Sequence, residues 1–236
     1  MVKIRSLLKS TPHDRYTHDE IVEIFRRFRI QRPNPKSELH HINSFTLLVA
    51  VVLSAQSTDI GVNNVTQELF KIADNPQRML ALGESRIRDI IKTVGLYRRK
   101  AKNITFLSYQ LVKNHNSVVP QDVESLTSLV GVGHKTANVV MSIAFGYATL
   151  AVDTHIFRIS NRLDLAPGKN PATVEVLLKK QIPEEFLYHA HQWLILHGRY
   201  ICKARKPKCK DCIIADLCKS KEKTCNIPAS IIPLEH

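Results

Sequence analysis

Three observations predict an all-α fold. Apolar residues recur at three- and four-residue intervals along most of the chain, capping residues or prolines stand where those stretches begin, and no segment shows a convincing strand pattern. Thr17 and Glu20 form a T-x-x-E capping box ahead of an apolar stripe of Ile21, Ile24, Phe25 and Phe28, which predicts a first helix ending near Ile30. Pro33 and Pro35 interrupt the following segment and mark a boundary between structural units. SFTLLVAVVLSAQ is apolar nearly all round, so it reads as a helix surrounded by others, closed by Gln56. At that junction Gln56 either satisfies backbone groups of the helix end or projects into a groove, and taken alone the first is the better account. Ser57-Thr58-Asp59 then starts a helix running to about Ile72.

Asn75-Pro76 and Gly83 punctuate two short helices, and a helix, glycine turn, helix unit follows around Gly95. A second such unit spans LTSLVGVGHKTANVVMSIAFGYATLAVD, residues 126–153. Ala137, Val140, Met141, Ala144 and Phe145 make its buried stripe, while Lys135, Asn138 and Ser142 share another face. Gly131 and Gly133 flank one residue before that helix, so the backbone can turn sharply and offer N–H groups that suit a phosphate. Lys135 sits in the first turn, where the macrodipole opposes an ammonium, and a lysine that sheds its proton is a nucleophile. Asp153 stands where a helix N-cap belongs, and capping alone could explain it. Three further helices are expected at about 154–163, 171–181 with Asn170 as cap, and 184–198, with Trp193 in the core. His189, His191 and His197 lack metal-binding spacing and read as structural or surface residues.

With 236 residues the chain can bury a substantial core, in one large domain or two small ones. A net charge of +13 and a pI near 9.7 favour a polyanionic partner, nucleic acid or an anionic membrane surface. Nucleic acid is preferred, since the longest apolar run, Phe45 to Ala55, falls well short of the roughly 20 residues of a spanning helix. The N-terminal residues show no secretory h-region, and a reducing, cytoplasmic compartment is expected. Leu234-Glu235-His236 resembles an expression-tag scar.

In such a compartment five cysteines speak for metal rather than disulfides. Cys202, Cys209, Cys212 and Cys218 are spaced C-x6-C-x2-C-x5-C, a set that can hold zinc or an iron–sulfur cluster, and the single close pair leans toward the cluster. Cys225 lies outside the pattern. Lys203, Arg205, Lys206 and Lys208 crowd the loop between the first two cysteines, a collar that suits contact with phosphates.

LSAQSTD (53–59), VGLYRRKA (94–101), GVGHKTANVV (131–140), AVDTHIFR (151–158), LHGRYIC (196–202) and the four-cysteine loop together resemble the endonuclease III family of DNA glycosylases, within the helix-hairpin-helix superfamily. The resemblance implies a six-helix barrel lobe over residues 37–147, a second lobe from residues 1–36 and 148–236, and a DNA cleft between them. It implies a 4Fe-4S cluster on Cys202, Cys209, Cys212 and Cys218. The implied activity is excision of oxidised pyrimidines such as thymine glycol from double-stranded DNA, then cleavage 3′ to the abasic site by β-elimination through a Lys135 Schiff base. Asp153 would stabilise the cationic sugar and help deprotonate the lysine. Gln56 and Leu96 would fill the gap left by the extruded nucleotide. Gly131, Val132 and Gly133 would hold a phosphate through their N–H groups, with His155 and the basic collar as further DNA contacts. A monomer in a bacterial cytoplasm, associated with the nucleoid, is expected.

Two departures stand out. Val130 replaces the family's usual proline, which should loosen the turn, and His134 replaces a frequent arginine, placing a pH-dependent charge beside the lysine. An adenine-removing mismatch glycosylase of the same superfamily fits less well, because that branch lacks the hairpin lysine and carries a glutamate near Gln56. A non-catalytic, metal-stiffened DNA-binding protein would need neither Lys135 nor Asp153.

Overall fold

Short polar side chains fix most helix starts by accepting the first free N–H groups. In the computed structural model, which describes residues 16–224, Thr17 and Glu20 form the reciprocal capping box of α1 (His18–Gln31). Asn43 and Thr46 do the same for α2 (Ser44–Ser54), and Thr58 and Asn75 cap α3 (Asp59–Ile72) and α4 (Pro76–Ile90). Gly83, at φ 76°, breaks α4 into two helical pieces, because only glycine takes that conformation at no steric cost. Then come α5 (Tyr97–Asn114), α6 (Val123–Ser128), α7 (His134–Phe145), α8 (Thr154–Leu163), α9 (Pro171–Gln181), α10 (Glu184–Tyr200) and a single 3-10 turn, Cys209–Asp211. No strand occurs among the described residues, and none of their helices is long and apolar enough to cross a membrane. Cys225 and Leu234-Glu235-His236 lie outside the described residues.

The chain divides into two compact units: a continuous one, Lys36–Ala151, and a discontinuous one, Met1–Pro35 with Val152–His236. In the continuous unit α2 is buried from Phe45 to Leu53 and packs against α3, α5 and α7, so its near-uniform apolarity has partners all round. Val140 and Met141 of α7 join that core, and so does Ser142, contrary to the outward face its spacing predicts. After α7 the chain folds back, with the Tyr147 N–H donating to Met141 O and Thr149 Oγ1 donating to Asn138 O, which covers that face.

The discontinuous unit is built on aromatic packing between distant segments. Phe25 of α1 lies 5.9 Å from Phe186 and 6.4 Å from Trp193, ring to ring, and Trp193 Nε1 donates to Arg32 O at 2.8 Å. Such aromatic pairs contribute about 0.5–1.5 kcal/mol each beyond the area they bury. The Arg27–Asp216 ion pair at 2.6 Å and the Tyr16 hydroxyl, donating to Leu163 O at 3.0 Å, fasten the same helix further.

Candidate nucleic-acid interface and metal centre

Among the described helices, α5, α7 and α10 start without a side-chain cap, at Leu96, Gly133 and Pro183. The first two are places where the sequence predicts DNA contact. Gly133 has no side chain to offer the first N–H groups of α7, so that end is open to an external anion. His134 and Lys135 follow at once, both exposed. Gly131 has φ 82°, and a Cβ there would lie 2.7 Å from Asn103 Nδ2, so glycine is required on two grounds.

Val132 is a correction to the expected phosphate cradle. Its side chain is buried and its N–H donates to Leu129 O at 3.1 Å, so it anchors the turn. The expected looseness at Val130 is also corrected. Unlike proline, valine has an N–H, and it donates to Gln110 Oε1 at 2.8 Å while Gln110 Nε2 donates to Ser128 O at 3.2 Å. This two-point clamp from α5 supplies the restraint that the missing ring does not.

Gln56 and Leu96 lie on two loops of the same unit, each in the left-handed region, at φ 54° and φ 59°. For a residue with a Cβ this costs on the order of 1–3 kcal/mol, and such strain persists only where the surroundings enforce it. Both side chains are exposed, Leu96 to 55%. The helix ends at Ser54, short of Gln56, which cannot continue it with positive φ. The reading of Gln56 as the satisfier of helix-end carbonyls is overturned too. Lys100 Nζ donates to Leu53 O at 2.8 Å and to Ala55 O at 2.6 Å, so a buried lysine does that work. The Gly95 and Gly131 turns differ in backbone, since the positive φ falls on Leu96 in one and on Gly131 in the other.

Asp153 caps α8, its Oδ1 accepting from the Ile156 N–H at 2.8 Å. Capping uses one oxygen and fixes the carboxylate's orientation, leaving Oδ2 for another partner. His155, in the same first turn, backs onto Gly198, where a Cβ would lie 3.1 Å from its own.

Cys202, Cys209, Cys212 and Cys218 line one cleft, with His197, Arg162 and Lys208. Burial, with the other cysteines adding to it, pushes the Cys212 thiol up to about 12 and raises Cys218 as well. Four thiolates are therefore unfavourable there without a compensating positive charge, which bound iron supplies. Among the described residues no three His, Cys, Asp or Glu side chains are grouped to hold a metal ion. Four cysteines around one cleft are a donor set that suits an iron–sulfur cluster.

Sequence reasoning missed what holds this loop. Arg162 donates to Lys203 O at 2.6 Å and Ala204 O at 3.0 Å and pairs with Glu222. Arg158 donates to Gly198 O and Cys202 O, and Arg27 to Ile213 O. With the carbonyls pinned, Lys203, Arg205, Lys206 and Lys208 are all exposed. Buried His197, its ring 3.8 Å from Cys212 Sγ, is driven down to about 4 by desolvation and stays neutral near pH 7.

The sequence pattern of the HhH-GPD superfamily base excision DNA repair proteins matches residues 49–184, and that of the iron-sulfur binding domain of endonuclease III matches residues 202–218. The chain is 52% identical to endonuclease III of Haemophilus influenzae over 202 residues, which is 86% of this chain and 96% of that protein. Endonuclease III of Rickettsia conorii is 53% identical over 196 residues, 83% of this chain and 93% of its own. A trapped covalent endonuclease III–DNA intermediate and a non-covalent endonuclease III–DNA complex each match with a TM-score of 0.79 and 42% identity, covering 86% of this chain and 96% of theirs. The cofactor is a 4Fe-4S cluster. Matches to two family patterns and to nearly the full length of these relatives show that the chain belongs to the endonuclease III family of base excision repair DNA glycosylases and AP lyases.

Proposed function

We propose that this glycosylase and AP lyase excises oxidised pyrimidines such as thymine glycol from duplex DNA with Lys135 as nucleophile and Asp153 as its partner, acting as a monomer in a bacterial cytoplasm. The observation that carries the reading is the exposed Lys135 in the first turn of α7, beside a helix start that glycine leaves uncapped. A trapped covalent intermediate in a 42% identical relative supports it. A phosphate next to the lesion accepts N–H groups of the hairpin and of the first turn of α7, which sets the sugar beside the lysine.

The extruded nucleotide leaves a gap that Gln56 and Leu96 fill. Asp153 stabilises the cationic sugar and helps Lys135 lose its proton. The freed lone pair forms a bond to C1′, the bond from C1′ to the base breaks, and the base leaves with the electron pair. Ring opening gives a Schiff base, which acidifies the C2′ proton. Loss of that proton forms a C2′–C3′ double bond as the C3′–O bond breaks and the 3′ phosphate departs. Water then hydrolyses the imine and frees the lysine. Cys202, Cys209, Cys212 and Cys218 would hold the 4Fe-4S cluster, which would tie the loop closed. Lys203, Arg205, Lys206 and Lys208 meet phosphates, and His155 is a further contact.

Borohydride trapping on duplex DNA with a single abasic site tests the assignment. Wild type gives a covalent adduct, Lys135→Gln gives none, and Asp153→Asn gives much less. An adduct undiminished in Lys135→Gln would move the nucleophile elsewhere.

A further inference from the structure

Lys100 is a buried cation that the reaction above does not use. It is 4% exposed, on the apolar face of α5 with Ile104, Leu107 and Leu111. All three ammonium donors are engaged: Leu53 O at 2.8 Å, Ala55 O at 2.6 Å and Ser57 Oγ at 2.9 Å. These acceptors bracket residue 56 on both sides. The backbone N–H of the same residue donates to Leu96 O at 3.0 Å as the first main-chain bond of α5, so the helix that carries the side chain starts at the Leu96 turn. Lys100 thus bonds the Gln56 loop through its side chain and the Leu96 turn through its main chain. Between the two loops Gly95 lies close against the Gln56 segment, so that a Cβ on it would come within 3.3 Å of Gln56 O and 3.6 Å of Ser57 Oγ.

Both loops carry a left-handed residue with an exposed side chain, and the turn at Gln56 is closed by the Ser57 N–H donating to Ser54 O at 3.1 Å. An apolar side chain of the same length would fill the space without desolvating an ammonium, so packing alone does not account for the charge. Its three directed bonds do what packing cannot: they fix carbonyls 53 and 55 and hydroxyl 57, and with them the turn between. We infer that Lys100 is a positioning residue that locks the Gln56 loop and the Leu96 turn into one rigid wedge, so that both side chains enter the duplex as a unit. The inference rests on the reading of Gln56 and Leu96 as the residues that fill the gap.

The test compares two substrates in single-turnover assays of the cluster-loaded, full-length protein. One is duplex DNA with a thymine glycol, which must be extruded, and 2-aminopurine opposite it to report unstacking. The other is a single-stranded oligonucleotide with an abasic site, where nothing is extruded. Lys100→Met should lower duplex excision about ten- to a hundredfold and leave single-strand cleavage within about twofold of wild type. Gly95→Ala, which pushes the loops apart without removing a charge, should show the same selectivity. Lys100→Met combined with Gln56→Ala should lose less than the sum of the two. Equal losses on both substrates in Lys100→Met and Gly95→Ala would mark structural residues only and overturn the inference. A wild-type duplex rate in Lys100→Met, with Gln56→Ala and Leu96→Ala impaired, would overturn it and leave the gap-filling reading in place. If Gln56→Ala and Leu96→Ala spare duplex excision, that reading fails and the inference falls with it.

Discussion

The glycine hairpin and the cysteine loop both carry exposed cations, and they are held in opposite ways. The hairpin is fixed by neutral contacts inside one helical core: the Gln110 clamp on Val130 and Ser128, Asn103 against Gly131, and buried Val132. The cysteine loop has no regular secondary structure beyond Cys209–Asp211, and charge holds it, through Arg27, Arg158 and Arg162 on its carbonyls and iron on its sulfurs. Where a side chain must reach one atom, packing supplies precision. Where cations need only lie along phosphates, an electrostatic staple suffices.

Lys135→Gln should have the largest effect and fall on one side of this contrast, lowering β-elimination by roughly three orders of magnitude or more with duplex binding retained. Binding titrations beside single-turnover cleavage check it. Gly131→Ala forces a Cβ into Asn103 at a positive φ, and a misplaced lysine should lose about a hundredfold in rate. Its cluster absorbance should stay at the wild-type level, and a loss of absorbance would mean that the two regions are not independent. Cys212→Ala reverses the pattern: iron content and DNA affinity fall, while hydrogen exchange shows the amides of α2 and α7 as protected as before.

Acid should separate the regions as well. Arg26 and Arg27 hold the Glu23 carboxyl down to about 2. A depressed carboxylate contributes stability that is fully present above its unfolded value and lost as pH falls through the folded one. Arg27 also holds Ile213 O, so between about pH 4 and 2 the cysteine loop should lose order ahead of the hairpin. Near-ultraviolet circular dichroism should show that order of loss, and Glu23→Gln should flatten the pH dependence. The smallest effect belongs to the collar: Lys206→Ala with Lys208→Ala should lower the slope of log affinity against log salt by about 2, with cleavage of saturated substrate unchanged.

Helix starts were legible because caps are local: Thr17, Thr58, Asn75 and Asn170 all cap where their residue types predict. Glycine in the hairpin was legible for the same reason. Left-handed Gln56 and Leu96 were not, because a residue with a Cβ gives no sign of positive φ. Lys100 left a trace, a lone cation on the stripe continued by Ile104, Leu107 and Leu111, but its acceptors lie more than forty residues away. The arginines over the cysteine loop left none, since a donor to a remote carbonyl follows no period.

The interrupted unit has a consequence for the order of synthesis. Helix α1 is made before the continuous unit, with Phe25 and Phe28 on its apolar face, yet its partners Phe186, Trp193, Asp216 and Lys219 are made after it. The continuous unit has all its residues in hand by Ala151 and can close first. A nascent chain whose continuous unit has cleared the ribosome would hold a finished hairpin and an unmated aromatic helix. Iron can complete the molecule only after translation has passed Cys218.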